Sequence, residues 1–135
     1  MSFFIIISDV HDWHSFNVKK ELCKIGHKVK LCKFKDITYT SKRSKKNILL
    51  NNKQVNIAGV WVRYISSGSL EEITFKLSIL HILKKKGVYV HNSATSIEMT
   101  VDKYRTSAIL ANEGYLTPET FVSLDKKSFR SSSKH

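Results

Sequence analysis

The chain is predicted to fold as an α/β domain with a mostly parallel sheet flanked by helices. Three observations predict this. Phe3-Phe4-Ile5-Ile6-Ile7 is a short continuous apolar run, suited to the middle of a parallel sheet covered on both faces. Val60 to Ile65 is a second run, β-branched and aromatic as a buried strand should be. Between it and a third run, Val88-Tyr89-Val90, lies a long segment with helical spacing. A strand, a crossover helix and a second strand imply a parallel pair.

The central stretch carries its own punctuation. Ser66-Ser67-Gly68 breaks the strand, and Ser69 with Glu72 three residues later forms a capping box. Leu70, Ile73, Leu77, Leu80 and Leu83 keep helical spacing and predict a broad apolar face. Lys84-Lys85-Lys86 sits at the negative end of the helix dipole, and Gly87 ends the helix.

Before this stretch, Ser2 to Ser8 reads as the first strand and Asp9 to His14 as the turn at its carboxyl end. Phe16, Val18, Leu22 and Ile25 mark a helix that Gly26 ends. His27 to Phe34 alternates basic and apolar residues, which suggests a strand near a sheet edge. Such a β-α-β opening suits a doubly wound sheet, where ligands gather beyond the carboxyl ends of strands. Asp36 to Lys46 is polar and basic and reads as a solvated loop. Ile48-Leu49-Leu50, Asn51-Asn52 and Gln54 to Ile57 read as a small hairpin with a tight Asn turn.

After Val90, Asn92 or Ser93 is expected to cap a short helix through Ile97. Thr100 or Asp102 caps another, running to about Asn112 and ended by Gly114. Thr117-Pro118 forces an extended exit, because proline disfavours helix in the residue before it. Phe121-Val122 then reads as the start of one more strand.

The chain of 135 residues, 41% of them hydrophobic, suits one globular domain with a real core. No apolar run approaches the roughly 18 residues of a membrane span. The opening apolar run lacks a basic leader, so a first core strand fits better than a signal peptide. Cys23 and Cys32 make neither a disulfide framework nor a zinc site, and they are expected to be reduced and packed, in a cytoplasmic protein. The formal charge of +12 suits a polyanion partner or a lysine-coated surface. Only four of the basic residues are arginines, and the lysines are spread over every segment, so nucleic acid is not the favoured partner.

Candidate chemistry is sparse. Asp9 and His11 form an Asp-x-His after the first strand, a pair that can share a metal ion in a metallophosphoesterase-like protein. The further Asp, Asn and His motifs of a two-metal cage are missing, and a polar turn is the favoured reading. Arg63 closes the strand before the Ser66–Ser69 turn, where free N–H groups of a helix start beside an arginine suit a carboxylate or phosphate. His81 and His91 have no nearby acid or nucleophile and serve packing and capping better than catalysis.

Three further segments carry a family likeness: WVRYISSGSLEEITFKLSILHIL, GVYVHNSATSIE and VDKYRTSAILANEGYLTPET. Taken with the opening IIISDVHDWHSFNVKKELCKIGHKV, they resemble the front end of RimK-like ATP-grasp ligases. The nearest branch adds glutamate to tetrahydromethanopterin. The resemblance covers nearly the whole chain except the basic segment from Tyr39 to Lys53. It implies a Rossmann-like pre-ATP-grasp domain over residues 1–98. A linker helix and the first strand of a truncated ATP-grasp domain would occupy 99–124, and a tail 125–135.

In that family a carboxylate is phosphorylated by ATP with Mg, and an amine then attacks the acyl phosphate to form an amide. The resemblance implies that Lys103 contacts the nucleotide phosphates as a point charge. It also implies that Arg63, Ser67, Gly68, Ser69 and Asn92 face the substrate. The triphosphate cradle, the magnesium ligands and a glycine-rich cover are not found, and the chain has only 5 glycines. No catalytic residue and no metal ligand are therefore assigned, and neither ATP nor Mg is expected to bind tightly to this chain alone. The implied partners are the missing ATP-grasp domain, or a separately encoded catalytic half, and a small-molecule or peptide substrate bearing a carboxylate. No membrane partner is expected. The other reading is a stand-alone binding module for an anionic small molecule or nucleic acid.

Overall fold

The computed structural model describes residues 3–42 and 45–125. They form two compact units, Met1–Ala94 and a second that begins at Thr95. The first unit is the α/β body that the apolar runs predict. Its main sheet contains β1 (Phe3–Ser8), β2 (Lys28–Cys32), β6 (Gly59–Tyr64) and β7 (Tyr89–His91), in the order β2-β1-β6-β7. All three pairings are parallel. Ile5, Ile6 and Ile7 of β1 and Val60 and Val62 of β6 are buried, as central parallel strands require.

Helix α1 (Trp13–Lys24) crosses from β1 to β2. Asp12 caps it, accepting from the Ser15 N–H at 2.9 Å, while the Ser15 hydroxyl in turn accepts from the Asp12 N–H at 2.9 Å. The turn after β1 therefore ends at Asp12, and His14 belongs to the helix. Helix α2 (Leu70–Lys85) crosses from β6 to β7 and starts at the predicted Ser69–Glu72 box. Gly87 follows it at φ +81°, a conformation that L side chains rarely adopt. Its core face differs from the expected stripe. Ile79, Leu80 and Leu83 are fully buried, whereas Leu70 is 79% exposed.

The basic segment is not a loop. A 3-10 turn over Phe34–Asp36 leads into β3 (Ile37–Lys42), which pairs antiparallel with β4 (Lys45–Leu50). Ile37, Ile48 and Leu50 are buried, so the hairpin has an apolar face beneath its polar one. The expected Asn turn then joins β4 to β5 (Lys53–Gln54), with Asn51 at φ 50° and Asn52 at φ 61°. Two successive left-handed residues give a turn whose twist matches the flanking strands. The result is a second sheet in the order β3-β4-β5.

In the second unit, Asp102 caps α4 (Lys103–Asn112), accepting from the Arg105 N–H at 3.0 Å. Helix α3 (Ala94–Val101), which begins at the last residue of the first unit, runs four residues beyond the expected end at Ile97. No strand forms at Phe121-Val122, and residues 113–125 contain neither helix nor strand. Phe121 and Val122 remain 44% and 60% exposed.

Candidate functional site

Chain connections leave β1 and β6 in opposite directions across the sheet, one toward β2 and the other toward β7. The crevice between their carboxyl ends is thus a topological switch point, the usual place for a ligand in such sheets. Its geometry begins with a register shift. Ile7 pairs with Val62, but Ser8 pairs with Tyr64, so Arg63 is the extra residue. Extra residues of this kind re-aim a side chain. Here the Arg63 guanidinium lies 2.7 Å from the Asp12 carboxylate, with both side chains about one-third exposed. The N–H donated by Ser15, with the hydroxyl of Ser15 and the charge of Arg63 beside it, holds the Asp12 carboxyl below the usual carboxylate range.

Deeper in the crevice sits Asp9. One of its oxygens accepts from the Phe34 N–H at 3.1 Å. The other accepts from the Ser66 N–H at 2.9 Å and the Ser66 hydroxyl at 2.8 Å. Lys76 of α2 places its Nζ 3.7 Å from the same carboxylate and donates to the Ser66 carbonyl and hydroxyl. Burial alone would push the Asp9 carboxyl up. The donors from Ser66 and Phe34 and the Lys76 charge outweigh it, so the group is held below its ordinary value.

This geometry gives Asp9 and His11 separate partners. Both Asp9 oxygens already accept hydrogen bonds, and an ammonium occupies the place where a cation would compete. His11 is exposed and makes an edge-to-face contact with Phe16 at 6.3 Å. Among the described residues no group of three His, Cys, Asp or Glu could hold a metal ion.

The remaining predicted residues are distributed along the same strand ends, with one exception. Ser67 and Gly68 are exposed in the turn between β6 and α2. Ser69 is committed to the cap: its hydroxyl accepts from the Glu72 N–H at 3.2 Å, and its N–H donates to Glu72 at 2.9 Å. A Cβ on Gly68 would lie 2.5 Å from the Glu72 carboxylate, so a larger residue there would displace the Glu72 side chain from its capping position. Asn92 stands at φ 58° and donates its amide to the Val62 carbonyl at 2.8 Å, fastening the end of β7 to β6. Lys103 is an exposed residue at the first position of α4, in the second unit.

Sequence reasoning missed three participants. Asp12 was legible in principle, since Asp-x-x-Ser before a helix is a capping signature. Lys76 and Phe34 reach Asp9 only through the tertiary fold. No local pattern marks them.

In fold the chain is similar to the N-terminal part of ATP-grasp ligases. It superposes on the ATP-grasp ligase PsnB complexed with a minimal precursor with a TM-score of 0.72 and 19% identity, covering 99% of this chain and 50% of that one. Against the macrocyclase MdnC of Microcystis aeruginosa MRC, bound with precursor peptide MdnA, the TM-score is 0.66 at 15% identity, over 99% and 51% of the two chains. A further PsnB structure, with Mg and ADP, gives a TM-score of 0.70 at 17% identity, over 99% of this chain and 52% of that one.

In sequence the chain is similar to the tetrahydromethanopterin:α-L-glutamate ligase of Methanosarcina acetivorans. The two are 31% identical over 88 residues, 63% of this chain and 27% of that protein. The chain thus spans about half the length of the solved ligases and about a quarter of the curated relative. No family model matches it. Among the described residues no helix is long and apolar enough to cross a membrane.

Proposed function

We propose that the chain is the substrate-side, N-terminal part of an ATP-dependent carboxylate–amine ligase of the RimK-like kind, one that adds glutamate to a cofactor such as tetrahydromethanopterin or to a related acceptor. The observation that carries this reading is the match of almost the whole chain to one half of ATP-grasp ligases, joined to 31% identity with a glutamate ligase. Residues 1–98 then act as the pre-ATP-grasp domain, and 99–124 lead toward the ATP-grasp domain. Arg63, Ser67, Gly68, Ser69 and Asn92 line the substrate side of the cleft.

Arg63 is suited to this role because its present partner, Asp12, is a surface carboxylate that a substrate carboxylate can replace. Ser69 and Asn92 act mainly by holding the turn and the strand ends in shape. Lys103, free of any ion pair among the described residues, contributes charge toward the nucleotide phosphates. ATP and Mg are the cofactors of the whole enzyme, and the triphosphate and its magnesium ions are held by the catalytic body, in the cytoplasm. This chain alone is catalytically inactive.

The test is to join residues 1–124 to the ATP-grasp part of the Methanosarcina acetivorans ligase and follow glutamate-dependent ADP release. The joined protein should release ADP only when both acceptor and glutamate are present, and the 135-residue chain alone should release none. Lys103→Ala in the joined protein should raise KM for ATP about tenfold with kcat little changed. ADP release by the chain alone would contradict the proposal. So would a folded, ATP-binding fusion without ligase activity.

A further inference from the structure

A second concavity lies on the α2 side of the Asp9 knot. It has a volume of about 460 Å³ and is lined by Lys33, Phe34, Lys35, Phe75 and Lys76, with Asp9, Ser66 and Glu72 completing the wall. None of the residues assigned to the ligase cleft takes part in it. Its walls are the segment leaving β2, the segment leaving β6, and the first half of α2. The Asp9 carboxylate fixes the first two to each other through the Phe34 and Ser66 N–H groups. Lys76 fixes the third by donating to Ser66. Such a cleft is formed before any ligand arrives, which lowers the ordering cost of binding.

Its chemistry is mixed in a particular way. Phe75 is 48% exposed although it belongs to a helix with a buried face, and Phe34 beside it is 3% exposed. Asp9 is paired with Lys76 within the knot, and Glu72 accepts from the Ser69 N–H. Lys33 and Lys35, in contrast, form no ion pair among the described residues. The wall therefore offers two uncommitted ammonium groups next to an uncovered aromatic face, the usual composition of a small-ligand site.

We propose that this cleft binds a small molecule combining an anionic group with a flat apolar body, the anion held by Lys33 and Lys35 and the body lying against Phe75 and the edge of Phe34. The site belongs to the first unit alone and stands whether or not the chain serves a ligase. The anion is a carboxylate or a phosphate, which lysine recognises as a point charge in either case.

Titration of the ¹⁵N-labelled 135-residue chain with 2-naphthylacetate, 2-naphthyl phosphate and the neutral 2-naphthylethanol tests the proposal. Saturable amide shifts should appear at 33–36 and 72–76 with one or both acids, and the better acid identifies the anion. The alcohol should bind at least about tenfold more weakly, as should the acids to Lys33→Ala/Lys35→Ala and to Phe75→Ala. Phe75 and Lys35 are surface residues, so these variants should keep the parent spectrum elsewhere. The site would be overturned by no saturation with either acid, by shifts centred on other segments, or by equal binding of acid and alcohol. Unchanged affinity in both variants would do the same.

Discussion

The carboxylate of Asp9, at the end of the first strand, accepts both the backbone N–H and the hydroxyl of Ser66, 57 residues further along the chain. This contact joins the two central strand ends on one side of the switch-point crevice, and Lys76 closes it from the helix above. An aspartate in that place looks like a ligand or a base. Its work here is to hold the walls of the crevice at a fixed distance.

Replacing Asp9 with alanine should therefore lower stability substantially. It strands two backbone donors and a hydroxyl and removes the counter-charge of a mostly buried ammonium, for a cost of about 2–4 kcal/mol. Urea denaturation of the wild type and Asp9→Ala measures this. A loss below about 1 kcal/mol would mean that solvent replaces the carboxylate easily.

The same residue should make stability depend on acid. Its folded pKa is depressed, so the stability it contributes is complete above the unfolded carboxyl value of about 4 and disappears as pH falls through the lower folded value. The gap in unfolding free energy between the wild type and Asp9→Asn should be constant from about pH 7 to about pH 5 and shrink below about pH 4. A gap that stays constant into strong acid would show that the carboxylate is not held ionised by its donors.

Thiol chemistry should separate the two cysteines. Burial, with Asp36 and Asp9 nearby, pushes the Cys32 thiol up to about 12, while Cys23 is exposed on α1. Since the thiolate is the reactive form, iodoacetamide near neutral pH should modify Cys23 in the native chain and Cys32 only after unfolding. Peptide mass mapping reads this directly. Early labelling of Cys32 would contradict its burial in the sheet.

Gly59 is required by a close approach. A Cβ there would lie 2.5 Å from the Phe4 ring on the neighbouring strand. Gly59→Ala should cost about 1–3 kcal/mol through overpacking. Shortening the ring in Phe4→Leu/Gly59→Ala should recover part of the loss, giving a coupling of at least about 0.5 kcal/mol in a double-mutant cycle. Strict additivity would mean that the two residues do not meet.

What was legible in the chain is what local physics determines. The apolar runs of β1 and β6 must be buried on both faces, and the Ser69–Glu72 box marks the start of α2 whatever surrounds it. The β3–β4 hairpin was not legible, because lysine, serine and threonine hide a short alternation whose apolar face appears only when Ile37 meets Leu50. Arg63 stood out as a charge at a strand end, but its direction depends on a one-residue register shift against β1. The Asp9–Lys76 contact joins residues with no local relation. The exit after Pro118 has strand-like composition at Phe121-Val122 but forms no strand, and composition alone does not make one.

The most direct test of the proposal that this chain is the N-terminal part of an ATP-grasp ligase is to read the DNA that follows the codon for His135 in all three frames. An encoded ATP-grasp body should appear there, with a strand-borne lysine, a glycine-rich loop and an acid–acid–Asn magnesium set, or else as a separate polypeptide that copurifies stoichiometrically with the chain. Finding no such body in any frame, and isolating the chain from its own cells as a free monomer, would contradict the claim.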